Sequence, residues 1–171
     1  MPERDSCRRR ADFSKPERCG SLPYWVVPDS KRILKGVLHV CRRFEFSRDV
    51  IVLISEATSD EYVKYLEERN YVFHEVGTKS VDLGRSLELL SSRYGFKKVL
   101  SDTGRVLGNL LVERALASEL SLLVHPVTVG EKSYNIFGTI NSNPKLILCK
   151  QKAFPGGFVW LVYKFSRRTA G

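Results

Sequence analysis

The run Val50-Ile51-Val52-Leu53-Ile54-Ser55 constrains this chain more than any other stretch. Successive side chains of a strand point to opposite faces, so an unbroken apolar, mostly β-branched run cannot keep one face in water. It reads as a strand covered on both sides, the situation of a parallel sheet packed between helices. The flanking sequence supplies such covers. Thr58 or Ser59 is placed to cap a helix with Asp60 and Glu61 in its first turn and Tyr62, Val63, Tyr65 and Leu66 on its apolar face, ending near Asn70. Tyr71 to Val76 follows as a strand closed by Gly77. Asp82 then precedes Leu83, Leu87 and Leu90 at helical spacing, with Gly95 where a C′ glycine ends a helix. Upstream, Tyr24-Trp25-Val26-Val27 reads as the first strand. It ends at Pro28-Asp29-Ser30, where proline withholds a ladder donor and Asp and Ser favour a turn. Residues 36 to 46 fit irregular structure, a short helix or a short strand. The alternation of strand and helix predicts parallel pairing with right-handed crossovers.

A second constraint lies at residues 98 to 111. Val99-Leu100 reads as a strand that enters the turn Ser101-Asp102-Thr103-Gly104, and Val106, Leu107, Leu110 and Leu111 begin a helix. A helix start leaves backbone N–H groups unpaired at the positive end of the dipole, which makes this turn a candidate phosphate seat, with Asp102 at the strand's carboxyl end. From Glu119 the pattern turns to strands alone. Leu120 to Val124 ends at His125-Pro126, and strands near Leu146 to Cys149 and Phe158 to Phe165 flank Phe154-Pro155-Gly156-Gly157, a hairpin signal. The expected fold is therefore α/β and three-layered: a mixed, mostly parallel sheet with helices on both faces and a C-terminal antiparallel hairpin. Residues 1 to 21 read as a poorly ordered polar lead, 22 to 166 as one α/β domain, and 167 to 171 as a basic tail.

Composition narrows the function classes. The 171 residues suit one domain, and 43% hydrophobic with 27% charged residues is globular composition. No apolar run reaches membrane-spanning length and the first residues lack a secretory h-region, so a cytoplasmic protein is expected, without a membrane partner. Cys7, Cys19, Cys41 and Cys149 are scattered, and His39, His74 and His125 share no ligand spacing; neither set predicts a metal or a disulfide. The net charge of +9 invites nucleic acid, but the basic pairs are spread along the chain and no nucleic-acid motif accompanies them. A phosphorylated ligand in a basic crevice satisfies the same charge.

The order of these motifs resembles the pyrimidine reductase domain of riboflavin biosynthesis, which has a dihydrofolate-reductase-like fold. The family's V-V-D-S strand and turn followed by basic residues is similar to Val26-Val27-Pro28-Asp29-Ser30-Lys31-Arg32. Its E/D-x-G-G-T-L-N phosphate turn is similar to Asp102-Thr103-Gly104-Arg105-Val106-Leu107-Gly108. Its downstream pattern matches Leu110-Leu111, Leu116, Glu119-Leu120, Leu122, Pro126 and Gly130. Arg105 stands where a second glycine is usual, the family's Asn falls on Gly108 with Asn109 one place later, and Glu131 follows Gly130 where a glycine is common. The family's S-x-D-G-K-like substrate loop has no counterpart in residues 1 to 21, so the N-terminal portion of the domain is expected to be lacking. The resemblance implies an NADPH-dependent reduction of the ribosyl group of a phosphoribosylaminopyrimidine to ribityl. It assigns cofactor contacts to Ser30, Lys31, Gly104, Arg105, Val106, Leu107, Gly108 and Asn109, makes Asp102 the substrate-facing acid, and implies a homodimer. By their own residue types, Asp102 fits a turn or N-cap role equally well, and Ser30 and Lys31 fit an ordinary solvated turn. The alternative function is a catalytically incomplete nucleotide-binding or interaction domain of the same fold.

Overall fold

A computed structural model describes residues 13–130 and 133–166. Cys7, the basic run 8–10, Glu131 and the tail 167–171 lie outside the described residues. The chain divides into two compact units, Met1–Lys97 and Lys98–Gly171.

In the first unit, β1 (Trp25–Pro28), β2 (Val50–Ile54) and β3 (Val72–Glu75) form a parallel sheet in the order β1-β2-β3. The central strand is buried along its whole length, as its unbroken apolar run requires. Its alternate residues feed two separate cores. Val50, Val52 and Ile54 pack with Leu38 of α1 (Leu38–Arg43) and with Tyr62, Tyr65 and Leu66 of α2 (Asp60–Glu68). Ile51 and Leu53 face the other way, against Val76 and against Leu90 of α3 (Leu83–Tyr94). Each such aliphatic side chain contributes about 1.5–3 kcal/mol on burial. Helices thus cover both faces, the three-layer arrangement expected. Gly95 closes α3 with φ +68, as its place in the sequence led one to expect, and Asp82 caps the start of that helix by accepting from the Arg85 N–H at 3.1 Å. Ser59, by contrast, stands at the N-cap position of α2 without a side-chain capping bond, and the Thr58 hydroxyl accepts from the Ser55 N–H instead. Gly77 has φ +98, and a Cβ there would stand 2.5 Å from the Ser80 carbonyl oxygen, so glycine is needed for this turn. The stretch left open at 36 to 46 contains the short helix α1.

His74 on β3 and Tyr94 on α3 meet at 2.6 Å. Burial, with a smaller push from Arg93, lowers the His74 imidazole below its ordinary value. Protonation therefore favours the unfolded chain. The stabilisation is complete above about pH 6.5, the ordinary imidazole value, and is lost as pH falls through the lower folded value. Urea titrations between pH 7.5 and 5 should show the first unit weakening on the acid side, with a shallower loss in His74→Phe. Equal slopes would remove His74 as the cause.

In the second unit, α4 (Arg105–Glu113) precedes an antiparallel sheet in which β6 (Val159–Phe165) lies between β4 (Glu119–Val124) and β5 (Leu146–Ala153). β5 and β6 form the expected hairpin, turning through a short 3₁₀ segment at Pro155–Gly157. The parallel and antiparallel strands form two sheets, where the sequence suggested one continuous mixed sheet. The predicted strand at Val99-Leu100 does not form. Residues 95–104 carry no regular structure, and Leu100 is 85% exposed. Two apolar residues between Lys97-Lys98 and Ser101-Asp102 become a strand only if a neighbouring strand accepts their backbone, and neither sheet does.

Candidate functional site

The residues singled out by sequence fall on both units. In the first unit the turn after β1 is built around Asp29. Its carboxylate is buried and accepts from the Ile33 N–H at 2.8 Å, the Leu34 N–H at 2.9 Å and the Tyr62 hydroxyl at 2.7 Å. Burial first, and then the bond to Asp29, push the Tyr62 phenol well above its ordinary value, so it stays a donor. The Asp29 N–H donates to the Leu53 carbonyl at 2.8 Å, which ties the turn to the central strand. Asp29 is therefore the anchor of the turn, a role its residue type alone did not disclose. The anchored turn leaves Ser30 half-buried and Lys31 exposed at the carboxyl ends of the strands. The Thr58 hydroxyl reaches the Ser30 carbonyl at 3.4 Å and accepts from the Ser55 N–H at 3.0 Å, while the Ser55 hydroxyl is buried with no partner among the described residues. Arg32, at φ +54, turns toward α2 and pairs with Glu61 at 2.8 Å, and Lys35 meets the same carboxylate at 2.5 Å. Those two cations, Lys35 more than Arg32, hold the Glu61 carboxyl below its usual range.

In the second unit, residues 101–104 form an exposed turn, and Gly104 occupies the N-cap position of α4 with no side chain capping the helix. Asp102 lies two residues ahead of the cap, so it is neither the N-cap nor at a strand end. Ser101 and Thr103 hydroxyls are 3.0 Å apart. Nothing stands within 4 Å of where a Cβ on Gly104 would sit, so the approach to the helix start is open there. Arg105, Leu107 and Gly108 are half-buried, Val106 is exposed, and Asn109 is buried. Arg105 lays its guanidinium over the Tyr134 ring at 4.9 Å. Asn109 holds the Thr139 hydroxyl at 2.6 Å. The sequence offered no sign of Tyr134 or Thr139, because both reach α4 from about thirty residues downstream.

The donors present suit a phosphate: backbone N–H groups at the start of α4, of which that of Arg105 meets the Tyr134 hydroxyl at 3.3 Å, a cation in its first turn, and a hydroxyl pair beside it. Among the described residues no group of three or more His, Cys, Asp or Glu side chains is placed to hold a metal, and no helix is long and apolar enough to cross a membrane.

No family model and no curated protein matches the chain. Solved structures do. A pyrimidine reductase-like protein from Corynebacterium diphtheriae aligns over 88% of this chain and 63% of its own, with 20% identity and a TM-score of 0.64. A Shewanella sp. PV-4 protein assigned to riboflavin biosynthesis aligns over 91% of this chain and 85% of its own, at 18% identity and a TM-score of 0.55. RibD from Acinetobacter baumannii aligns over 87% of this chain, at 18% identity and a TM-score of 0.55. The chain spans less than two thirds of the first of these proteins and 36% of the RibD chain. At such identities the likeness is one of fold. This chain has the α/β fold of the pyrimidine reductase-like proteins of riboflavin biosynthesis, the fold its motif order led us to expect.

Proposed function

We propose that the chain is an NADPH-dependent reductase of the riboflavin-pathway type, which converts the ribosyl group of a phosphoribosylaminopyrimidine to ribityl. The observation that carries this reading is the uncapped start of α4, with Arg105 in its first turn, on a fold shared with pyrimidine reductase-like proteins. Gly104 to Asn109 would hold the cofactor's pyrophosphate, since backbone N–H groups at a helix start donate to anions without a desolvated counter-charge. In the first unit, the Asp29 anchor holds the turn that presents Ser30 and Lys31, the other residues proposed for the cofactor. NADPH, when bound, supplies a hydride. Asp102, exposed in the turn, is the acid proposed to face the substrate. The protein is proposed to work as a cytoplasmic homodimer, an assignment that the long exposed edge strand β5 supports, because an unpaired edge invites a second copy.

Titration with NADPH, followed by nicotinamide fluorescence, tests the reading. Saturable binding is expected, weakened about tenfold in Arg105→Ala through loss of one charge-assisted contact. No binding at millimolar cofactor would sink the enzyme. The exposed position of Asp102, with no partner to orient it among the described residues, favours a second reading: a nucleotide-binding or interaction domain without catalysis. It predicts NADPH binding with no oxidation in the presence of the phosphoribosylaminopyrimidine.

A further inference from the structure

Residues 133–142 run along α4 from its first turn to its last, and each turn of the helix holds them. At the start, the Arg105 N–H donates to the Tyr134 hydroxyl at 3.3 Å, and the Arg105 guanidinium covers the Tyr134 ring at 4.9 Å. The same guanidinium lies against Gly138, 3.5 Å from where a Cβ would stand. One turn on, Asn109 is buried under the segment. In the amide orientation that satisfies both of its ends, it donates to the Ile136 carbonyl at 3.0 Å and accepts from the Thr139 N–H at 3.3 Å and hydroxyl at 2.6 Å. At the end of the helix, Glu113 accepts from the N–H groups of Asn141 and of Ser142, the latter at 2.8 Å. The segment is thus a strap, held by polar contacts at three levels of one helix.

Two features mark its Tyr134 end as a place-holder. Arg105 Nε is buried and meets no acceptor among the described residues, although the side chain as a whole is half-buried. A buried donor left without an acceptor is costly. An incoming phosphate oxygen would relieve it. The Tyr134 end is lightly held: Tyr134 is 66% exposed, so little of its own apolar surface opposes its release, while Ile136 and Phe137 are more than half buried. The Asn109 and Glu113 levels, by contrast, are bonded to backbone and would stay as the hinge end.

We infer that the strap 133–142 is a self-capping device in which the Tyr134 hydroxyl and ring occupy the N–H of Arg105 and its guanidinium, and a phosphate group must displace Tyr134 to bind there. This rests on the proposed phosphate role of the α4 start. The strap makes binding weaker than the bare helix start allows and couples ligand arrival to movement of residues 133–138. Tyr134→Phe removes only the hydroxyl that accepts from the helix, and Tyr134→Ala removes the ring as well.

The test uses the full chain with inorganic pyrophosphate and with NADPH, read by calorimetry, and follows hydrogen exchange of the Arg105 amide. Losing one hydrogen bond and one partly exposed cation–π contact from the competing state corresponds to about threefold to tenfold tighter binding in Tyr134→Ala, and less in Tyr134→Phe. The Arg105 amide should exchange faster in both unliganded variants and slow again when pyrophosphate is added. Unchanged or weaker binding by Tyr134→Ala, with wild-type protein still binding, overturns the strap and leaves the function standing. Binding by the variant alone supports the strap. If neither protein binds pyrophosphate, the strap guards no phosphate seat and is rejected; NADPH binding measured in the same series then decides the functional reading separately.

Discussion

Arg42→Ala is expected to destabilise the first unit by about 3–5 kcal/mol, the cost of breaking a buried charge pair by removing one partner. The guanidinium is 1% exposed. Its Nε donates to Asp49 at 3.1 Å, its terminal nitrogens donate to the carbonyls of Arg69 and Asn70 at 2.9 and 3.0 Å, and its plane stacks on the Tyr71 ring at 3.7 Å. Those two carbonyls follow the last turn of α2, where the helix dipole is negative and acceptors lack intrahelical partners. Arg42 therefore joins α1, the start of β2 and the end of α2 through one side chain. Its removal takes the cation from a buried carboxylate, which keeps the Val50 N–H at 2.8 Å, and takes this donor from two carbonyls. The double variant Arg42→Met with Asp49→Leu separates these contributions. It removes the charge pair but not the carbonyls, so only part of the loss should be recovered, whereas an isolated buried pair would recover nearly all of it. The chain has two tryptophans, one in each unit, so a Trp160→Phe background lets Trp25 report the first unit in urea. A shift below about 1 kcal/mol would mean that water reaches the Asp49 carboxylate and the two carbonyls after truncation.

Asp29→Ala should cost about 3–4 kcal/mol, because it leaves the N–H groups of Ile33 and Leu34 and the Tyr62 hydroxyl without their acceptor, and each bond to a charged acceptor contributes about 1.5–3 kcal/mol, less than additively. Asp29→Asn keeps the shape and one acceptor oxygen but turns a donor toward the other partners, so an intermediate loss of about 1–2 kcal/mol is expected. Tyr62→Phe removes one of the bonds and should cost about 1 kcal/mol. Under the proposed function, Asp29→Ala should also weaken NADPH binding, since the turn that presents Ser30 and Lys31 loses its anchor. Stability measured on the Trp25 signal and cofactor affinity should fall together. Loss of stability with affinity intact would show that this turn does not meet the cofactor.

Local rules carried far in the first unit because its signals are local. A continuous apolar run at Val50 to Ile54 has only one stable environment, and the Asp82 cap and the Gly95 terminator act within a turn of themselves. The same reasoning failed at Val99-Leu100. Strand formation there depends on a backbone partner from elsewhere, and two apolar residues do not carry enough burial to recruit one. Asp29 shows an intermediate case: the turn was legible, but the depth of its carboxylate was set by Tyr62, thirty-three residues away.

For the candidate site the division is sharper. The helix start at Gly104-Arg105 was readable from residue order alone, because helix geometry leaves the first backbone donors without intrahelical partners in any sequence that begins a helix. Whether they meet solvent, a ligand or the chain itself was not readable. The bond from Arg105 to Tyr134 and the grip of Asn109 on Thr139 join residues about thirty apart, through a strap whose own sequence has no periodicity. Periodicity and capping act over three or four residues and so are written in the sequence directly. The partner of an exposed turn is chosen by the path of the chain in three dimensions, and only the tertiary structure placed Tyr134 over the proposed phosphate seat.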